Sequence, residues 1–223
     1  MIAMLLLVPS PLLGPATWRP VEDWLRAEGH EVGTVDLGSA PRTPEAVIEA
    51  VRAAAGDRPV VLIPHSNAGL YAAHLRTILT VTATVYVDAA LPAATATTTR
   101  LAPPAFLGFL RDLAGPDGTL PPWTQWWPDV DHLFPDPGTR AAVEREQPRV
   151  PLAYFTGTVP VPKRWTERPS AYLAFGDTYA DEYEVATSSG WPVQRLDGAH
   201  LHQLIDPAGV GAAVIALAEA ASA

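Results

Sequence analysis

The chain has 223 residues with a net charge of −9, 48% hydrophobic and 17% charged residues, and no cysteine. That is enough for one α/β domain with a substantial core, and too apolar for a disordered chain. The acidic balance, with no Lys/Arg cluster, argues against nucleic acid, and the missing cysteines exclude disulfides, thiolate metal sites and a cysteine nucleophile.

Met1–Val8 is apolar but too short for a membrane span, and it lacks the basic start and small-residue cleavage site of a signal peptide. It reads as a buried first strand at Met4–Val8. Helical spacing follows over Trp18–Glu28, with Gly29 as its stop, and then a strand over Val32–Leu37. Thr43 opens a helix with Pro44 in its first position. Pro59–Ile63 is a strand, Asn67–Leu79 a helix and Thr82–Val87 a strand. Strands alternating with helices predict βαβ units and a parallel sheet. The rhythm breaks over about 93–168, a proline-rich stretch holding Trp123, Trp126, Trp127 and Trp165, with helices predicted at Pro104–Leu113 and Thr139–Glu146. It resumes with a strand at Ala171–Phe175, a helix at Ala180–Ser188, a strand at Pro192–Leu196 and a closing helix at Pro207–Ala221. The middle stretch therefore reads as an insertion into one sheet domain spanning 1–223.

The chemistry concentrates at Val60-Val61-Leu62-Ile63-Pro64-His65-Ser66-Asn67-Ala68-Gly69. A buried strand runs into a helix with a serine at the apex and small residues after it, the setting of a nucleophile elbow. The sharp turn projects the hydroxyl, and the amides that follow face a developing oxyanion. Pro64 and Ala68 stand where the strict Gly-x-Ser-x-Gly pattern has glycine, and an N-cap serine is the bland alternative. Late in the chain, after the last strand, comes Asp197-Gly198-Ala199-His200-Leu201-His202. His200 is the candidate base, with His202 second shell or pocket wall. For the acid, Asp177 after the strand ending at Phe175 gives the order Ser, Asp, His; Asp88 and Asp181 are the alternatives.

On these residues the chain resembles the α/β-hydrolase superfamily, most closely small bacterial serine hydrolases of the methylesterase and hydroxynitrile-lyase group. The resemblance spans nearly the whole chain. It rests on Leu5–Val8 leading to Gly14 and Trp18, on His65–Gly69, on Val85–Pro92, and on Gly198-Ala199-His200 followed by Asp206-Pro207. It implies a mainly parallel sheet of about six strands, without the two N-terminal strands of larger members, with helices on both faces and a cap from the insertion. It implies Ser66 as nucleophile, His200 as base and a carboxylate after Phe175. One departure matters: the family carries His-Gly after the first strand, and the next residue donates an oxyanion N–H. Here the stretch is Pro9-Ser10-Pro11, and Pro11 has no N–H to give. The Asn67 amide remains, with the Leu12 N–H or Ser10 Oγ as substitutes.

The expected function is hydrolysis of an ester or thioester of a hydrophobic small molecule through an acyl-enzyme. Pro11, His65, Trp123, Trp126, Trp127 and His202 are the expected pocket residues, and Phe106, Phe109 and Phe134 add aromatic surface. Asp129-Val130-Asp131-His132 holds potential metal ligands, but beside Pro128 it reads as a turn. No cofactor, metal or membrane partner is implied, the setting is expected to be cytoplasmic, and a homodimer is left open. The alternatives are a lyase or cyclase on the same fold, prompted by Pro11, and a non-catalytic ligand-binding protein.

Overall fold

The computed structural model describes residues 3–223, so the first two residues of the opening apolar run lie outside it. Six strands form one sheet: β1 (Met4–Val8), β2 (Val32–Thr34), β3 (Val60–Ser66), β4 (Val81–Ala89), β7 (Ser170–Phe175) and β8 (Val193–Leu196). Their spatial order is β2-β1-β3-β4-β7-β8, and every pairing is parallel.

The unbroken apolar strands have a simple cause: both faces of the sheet are buried. Successive side chains divide between two layers. Leu5, Leu7, Val61, Ile63, Val85, Val87 and Leu173 face α1 (Arg19–Ala27) and α9 (Pro207–Ser222). Met4, Leu6, Val8, Leu62, Tyr86 and Tyr172 face the opposite layer, which includes α2 (Pro44–Ala55) and α3 (Gly69–Leu75). Local chemistry sets the helix starts. The Thr43 hydroxyl caps α2 by accepting from the Ala46 N–H at 3.2 Å, and Pro44 needs no hydrogen-bond partner. Asp206 caps α9 in the same way, accepting from the Gly209 N–H at 2.9 Å.

Residues 90–169 connect β4 to β7 and carry β5 (Thr98–Arg100), α4 (Pro104–Leu113), α5 (Pro137–Glu146), α6 (Leu152–Thr156) and β6 (Thr158–Pro160). β5 and β6 pair antiparallel, a ribbon that their short polar sequences do not announce. After β7 come α7 (Ala180–Ser188) and, beyond β8, α8 (His202–Ile205). No helix among the described residues is long and apolar enough to cross a membrane.

Three of the expected elements depart from the sequence expectation by three or more residues at one end. β2 stops at Thr34, and the expected helix over Asn67–Leu79 is only α3, Gly69–Leu75. The Arg76 guanidinium reaches the Thr84 hydroxyl at 2.8 Å and the Pro169 carbonyl at 3.1 Å, while Thr77, Ile78 and Leu79 close into turns. β3 runs three residues further than expected, so Pro64 lies inside a central strand opposite Val8. The β3–β4 register slips by one residue between His65 and Ser66, which marks the point where β3 leaves the sheet.

That departure depends on Gly69. A Cβ there would lie 2.2 Å from the Ala90 carbonyl oxygen and 3.0 Å from the Ala89 Cβ. The helix after the turn thus packs directly on the end of β4. Gly69→Ala is expected to lower stability by about 1–3 kcal/mol, the usual cost of overpacking. A lower urea midpoint at an unchanged m-value is the readout.

Candidate active site

In a sheet of this order the crevice opens where successive connections leave in opposite directions. Here that is between the carboxyl ends of β1 and β3, and the residues of interest gather there. Ser66 ends β3 with φ 58°, a left-handed backbone that is rare for a residue with a side chain. The strained turn lifts its hydroxyl out of the sheet. Asp88, near the end of β4, is the second such residue, with φ 40°.

The β4–β7 ladder runs to Val87 and Leu173, and side chains continue it. The Phe175 N–H donates to Asp88 Oδ1 at 3.0 Å. The Tyr172 hydroxyl accepts from the Ala89 N–H at 3.0 Å and donates to the Ala89 carbonyl at 2.6 Å. These bonds fix the fully buried Asp88 in its unusual conformation. Its other oxygen, Oδ2, lies 2.6 Å from His200 Nδ1, and His200 Nε2 lies 3.0 Å from Ser66 Oγ.

Asp88 therefore sits where the sequence order had favoured Asp177. Asp177 pairs with Arg195 at the surface, its side chain 83% exposed. The reason lies in the turn after β7. Gly176 has φ 60°, and a Cβ on it would come 2.6 Å from the Gly198 carbonyl oxygen. The loop hugs the one carrying His200 and directs Asp177 outward to Arg195, which stands on neighbouring β8. Asp181 is exposed in the first turn of α7.

His65 is completely buried under His200, not in a pocket wall. The rings stack with centroids 4.8 Å apart, and the edge of Trp18 closes the far side at 6.0 Å. His65 Nε2 lies 3.0 Å from the His200 carbonyl oxygen, so this nitrogen carries the proton and donates. Burial, and then the neighbouring His200, hold the His65 imidazole well below the usual histidine range. His202 starts α8 and packs its ring against Phe175 at 5.5 Å, and it too lies off the cavity wall. Pro11 is likewise turned away: its carbonyl accepts from Arg42 Nε at 3.1 Å. Arg42 Nη1 also donates to the Gly38 and Ala40 carbonyls, which ties the loop after β1 to the loop after β2.

A cavity of about 900 Å³ opens above Ser66 and His200. Its walls are mostly apolar, and Trp123, Trp126 and Trp127 line it as expected, joined by Phe106, Leu133 and Phe155. Trp123 stands 5.9 Å from the His200 ring, and Trp127 is partly exposed to solvent. Asp129 and His132 also border the cavity. Asp129 Oδ1 caps its own turn by accepting from the Asp131 N–H at 3.0 Å, and Asp131 pairs with Arg140. Phe109 and Phe134 pack into the core beside the cavity without lining it.

Two candidate oxyanion donors lie beside Ser66. The Asn67 N–H makes no hydrogen bond among the described residues. The Asn67 side chain is anchored, with Nδ2 donating to the Leu101 carbonyl at 2.8 Å and Oδ1 accepting from the Tyr154 hydroxyl at 2.6 Å. Tyr71 in turn donates to the Tyr154 hydroxyl at 3.0 Å. Leu12 lines the cavity, but its N–H is turned to Ser10 Oγ at 3.4 Å. Sequence reasoning missed Tyr154, Tyr172 and Tyr179. The last, in the loop after β7, brings its hydroxyl to 3.4 Å from Ser66 Oγ. No local pattern marks these tyrosines, because each acts across more than 80 residues of chain.

No family model matches the chain, and a search of curated proteins finds no match in sequence. Solved structures do match over nearly the full length. Polyneuridine aldehyde esterase aligns with a TM-score of 0.73 at 16% identity, covering 97% of this chain and 99% of that one. An extracellular alpha/beta-hydrolase from a Paenibacillus species, described as sharing structural and functional homology with tobacco salicylic acid binding protein 2, aligns at 0.71 and 16% identity, covering 97% and 99%. A variant of methylketone synthase I from tomato, complexed with beta-ketoheptanoate, aligns at 0.69 and 12% identity, covering 99% and 98%. The chain has the α/β-hydrolase fold, with the mainly parallel six-stranded sheet expected from its sequence.

The buried His65 gives a test by pH. Its folded-state pKa is depressed below 6.5, so below that pH the unfolded chain binds a proton that the folded chain resists. Its contribution to stability is complete above pH 6.5 and is lost as the pH falls, at up to about 1.4 kcal/mol per pH unit. Urea unfolding at several pH values should show this decline, and His65→Gln, whose amide can still donate to the His200 carbonyl, should flatten it. An unchanged slope in the variant would assign the decline to other groups.

Proposed function

We propose that this protein is a serine hydrolase that cleaves an ester or thioester of a hydrophobic small molecule, with Ser66 as nucleophile, His200 as base and Asp88 as acid. The observation that carries this reading is the continuous path from Ser66 Oγ to His200 Nε2 at 3.0 Å and from His200 Nδ1 to Asp88 Oδ2 at 2.6 Å. The carboxylate orients the ring and keeps the proton on Nδ1, leaving Nε2 free to accept. His200 takes the Ser66 proton as Oγ attacks the carbonyl carbon, and returns it to the leaving oxygen or sulfur as the tetrahedral intermediate collapses. A water, activated by the same imidazole, then releases the acid. The Asn67 N–H lies beside the developing oxyanion.

The substrate class follows from the walls. A cavity of about 900 Å³ is of the size that encloses a drug-sized molecule, and its tryptophan and phenylalanine lining favours an apolar or ring-bearing acyl or alcohol group. Residues 93–168 act as a cap in this reading, since they supply Trp123, Trp126, Trp127 and Phe155 above the nucleophile.

Pro11 supports a second reading, in which His200 performs acid–base chemistry without an acyl-enzyme, because Pro11 removes one donor from the oxyanion site. The two readings part on covalent chemistry. A fluorophosphonate probe is expected to label the wild-type protein on Ser66 and to leave Ser66→Ala unlabelled. A folded wild-type protein that never labels would remove the hydrolase reading. Turnover that survives Ser66→Ala but is lost in His200→Ala would establish the second.

The acid has its own test. Asp88→Asn is expected to lower kcat for a p-nitrophenyl ester by roughly three to four orders of magnitude, as loss of the triad carboxylate does elsewhere. Asp177→Asn, which removes only a surface pair, should leave kcat within about twofold of wild type. The opposite ranking would return the role to Asp177.

A further inference from the structure

We infer that the Tyr179 hydroxyl is a catalytic hydrogen-bond donor that completes the oxyanion site in place of the amide that Pro11 lacks. This rests on the hydrolase reading above and adds a residue to it. The site is short of donors on the side of the loop after β1. Pro11 has no N–H, its carbonyl is held by Arg42, and the Leu12 N–H is turned to Ser10 Oγ. The Asn67 N–H alone remains on the elbow. On the opposite wall the Tyr179 hydroxyl stands 3.4 Å from Ser66 Oγ, and its ring lies 5.6 Å from that of His200. The same residue lines the cavity, so the hydroxyl faces the space that substrate enters.

The chemistry fits the position. With His200 Nε2 receiving the Ser66 proton, the Tyr179 O–H is the remaining side-chain donor in contact with Oγ. As the Oγ–C bond forms, the carbonyl π pair moves onto oxygen, which sits about 2.3 Å from Oγ in a tetrahedral adduct. A donor 3.4 Å from Oγ comes within hydrogen-bonding distance of that oxygen when the adduct turns it toward the wall that Tyr179 occupies. Tyr179 keeps its proton throughout: the serine proton goes to His200 and then to the leaving group, and the π pair returns when the C–O or C–S bond breaks. Burial raises the phenol far above its usual range, so at neutral pH it is a donor and not a phenolate that would repel the oxyanion. The tyrosine also explains why the loop after β7 turns inward although its aspartate does not: that loop presents Thr178 and Tyr179 to the cavity and leaves Asp177 outside.

The test is Tyr179→Phe, which keeps the ring and removes the donor. Loss of one oxyanion donor should lower kcat for a p-nitrophenyl ester by about a hundredfold, with KM within about threefold. The affinity of a trifluoromethyl ketone, which forms a hemiketal oxyanion on Ser66, should fall by a similar factor. A merely structural tyrosine would not separate these two effects from KM. Wild-type kcat and wild-type ketone affinity in Tyr179→Phe would overturn the inference while leaving the nucleophile intact, whereas absence of Ser66 labelling in the wild-type protein is the separate failure of the hydrolase reading.

Discussion

Two residues with side chains, Ser66 and Asp88, are held in the left-handed region on adjacent strands of one sheet. Each such backbone costs on the order of 1–3 kcal/mol, so the surrounding structure must over-determine it. For Ser66 the restraint is steric and directional: β3 slips by one residue against β4, Ala90 N–H bonds the Ser66 carbonyl, and Gly69 lets α3 press onto the strand end. For Asp88 it is hydrogen bonding: Tyr172 brackets both backbone groups of Ala89 while Phe175 holds the carboxylate. The distances to His200 follow from these two clamps. Without them, the alternation of side chains would turn both Ser66 and Asp88 into the layer that holds Leu62 and Tyr86.

How much was legible follows from how local each cause is. The sheet could be read because burial on both faces leaves apolar runs of strand length, and because capping residues such as Thr43 and Asp206 mark the helix starts. Ser66 and His200 could be read because a tight turn and a loop near the chain end carry their own signatures. The carboxylate that meets His200 could not be ranked. Asp88 and Asp177 both stand at the carboxyl end of a strand of the same sheet, and only a three-dimensional fact separates them: the turn at Gly176 packs on Gly198 and swings Asp177 to Arg195. The ribbon of β5 and β6 and the tyrosines at 154, 172 and 179 were invisible for the same reason, since their partners are remote in sequence.

Residues 90–169 are joined to the turn after β3 by polar bonds as well as by packing. Asn67, next to the serine, is held by Leu101 and Tyr154, both from residues 90–169, and Tyr154 is held by Tyr71 of α3. These groups are buried, so each bond also satisfies an atom that water cannot reach. The wall that shapes the cavity and the residue whose amide adjoins Ser66 are thereby positioned by the same contacts.

Placing the carboxylate at the end of β4 divides labour among the strands. β3, β4 and the loop after β8 supply the hydrogen bonds that join Ser66, His200 and Asp88, and the loop after β7 supplies none of them. Thr178 and Tyr179 of this loop, and Glu182 in the first turn of α7, border the cavity without holding the His200 Nδ1. In the proposed reading, Thr178 and Glu182, on either side of Tyr179, are positions where ligand preference can be rewritten while the imidazole stays poised, an option closed to an enzyme that keeps its acid there.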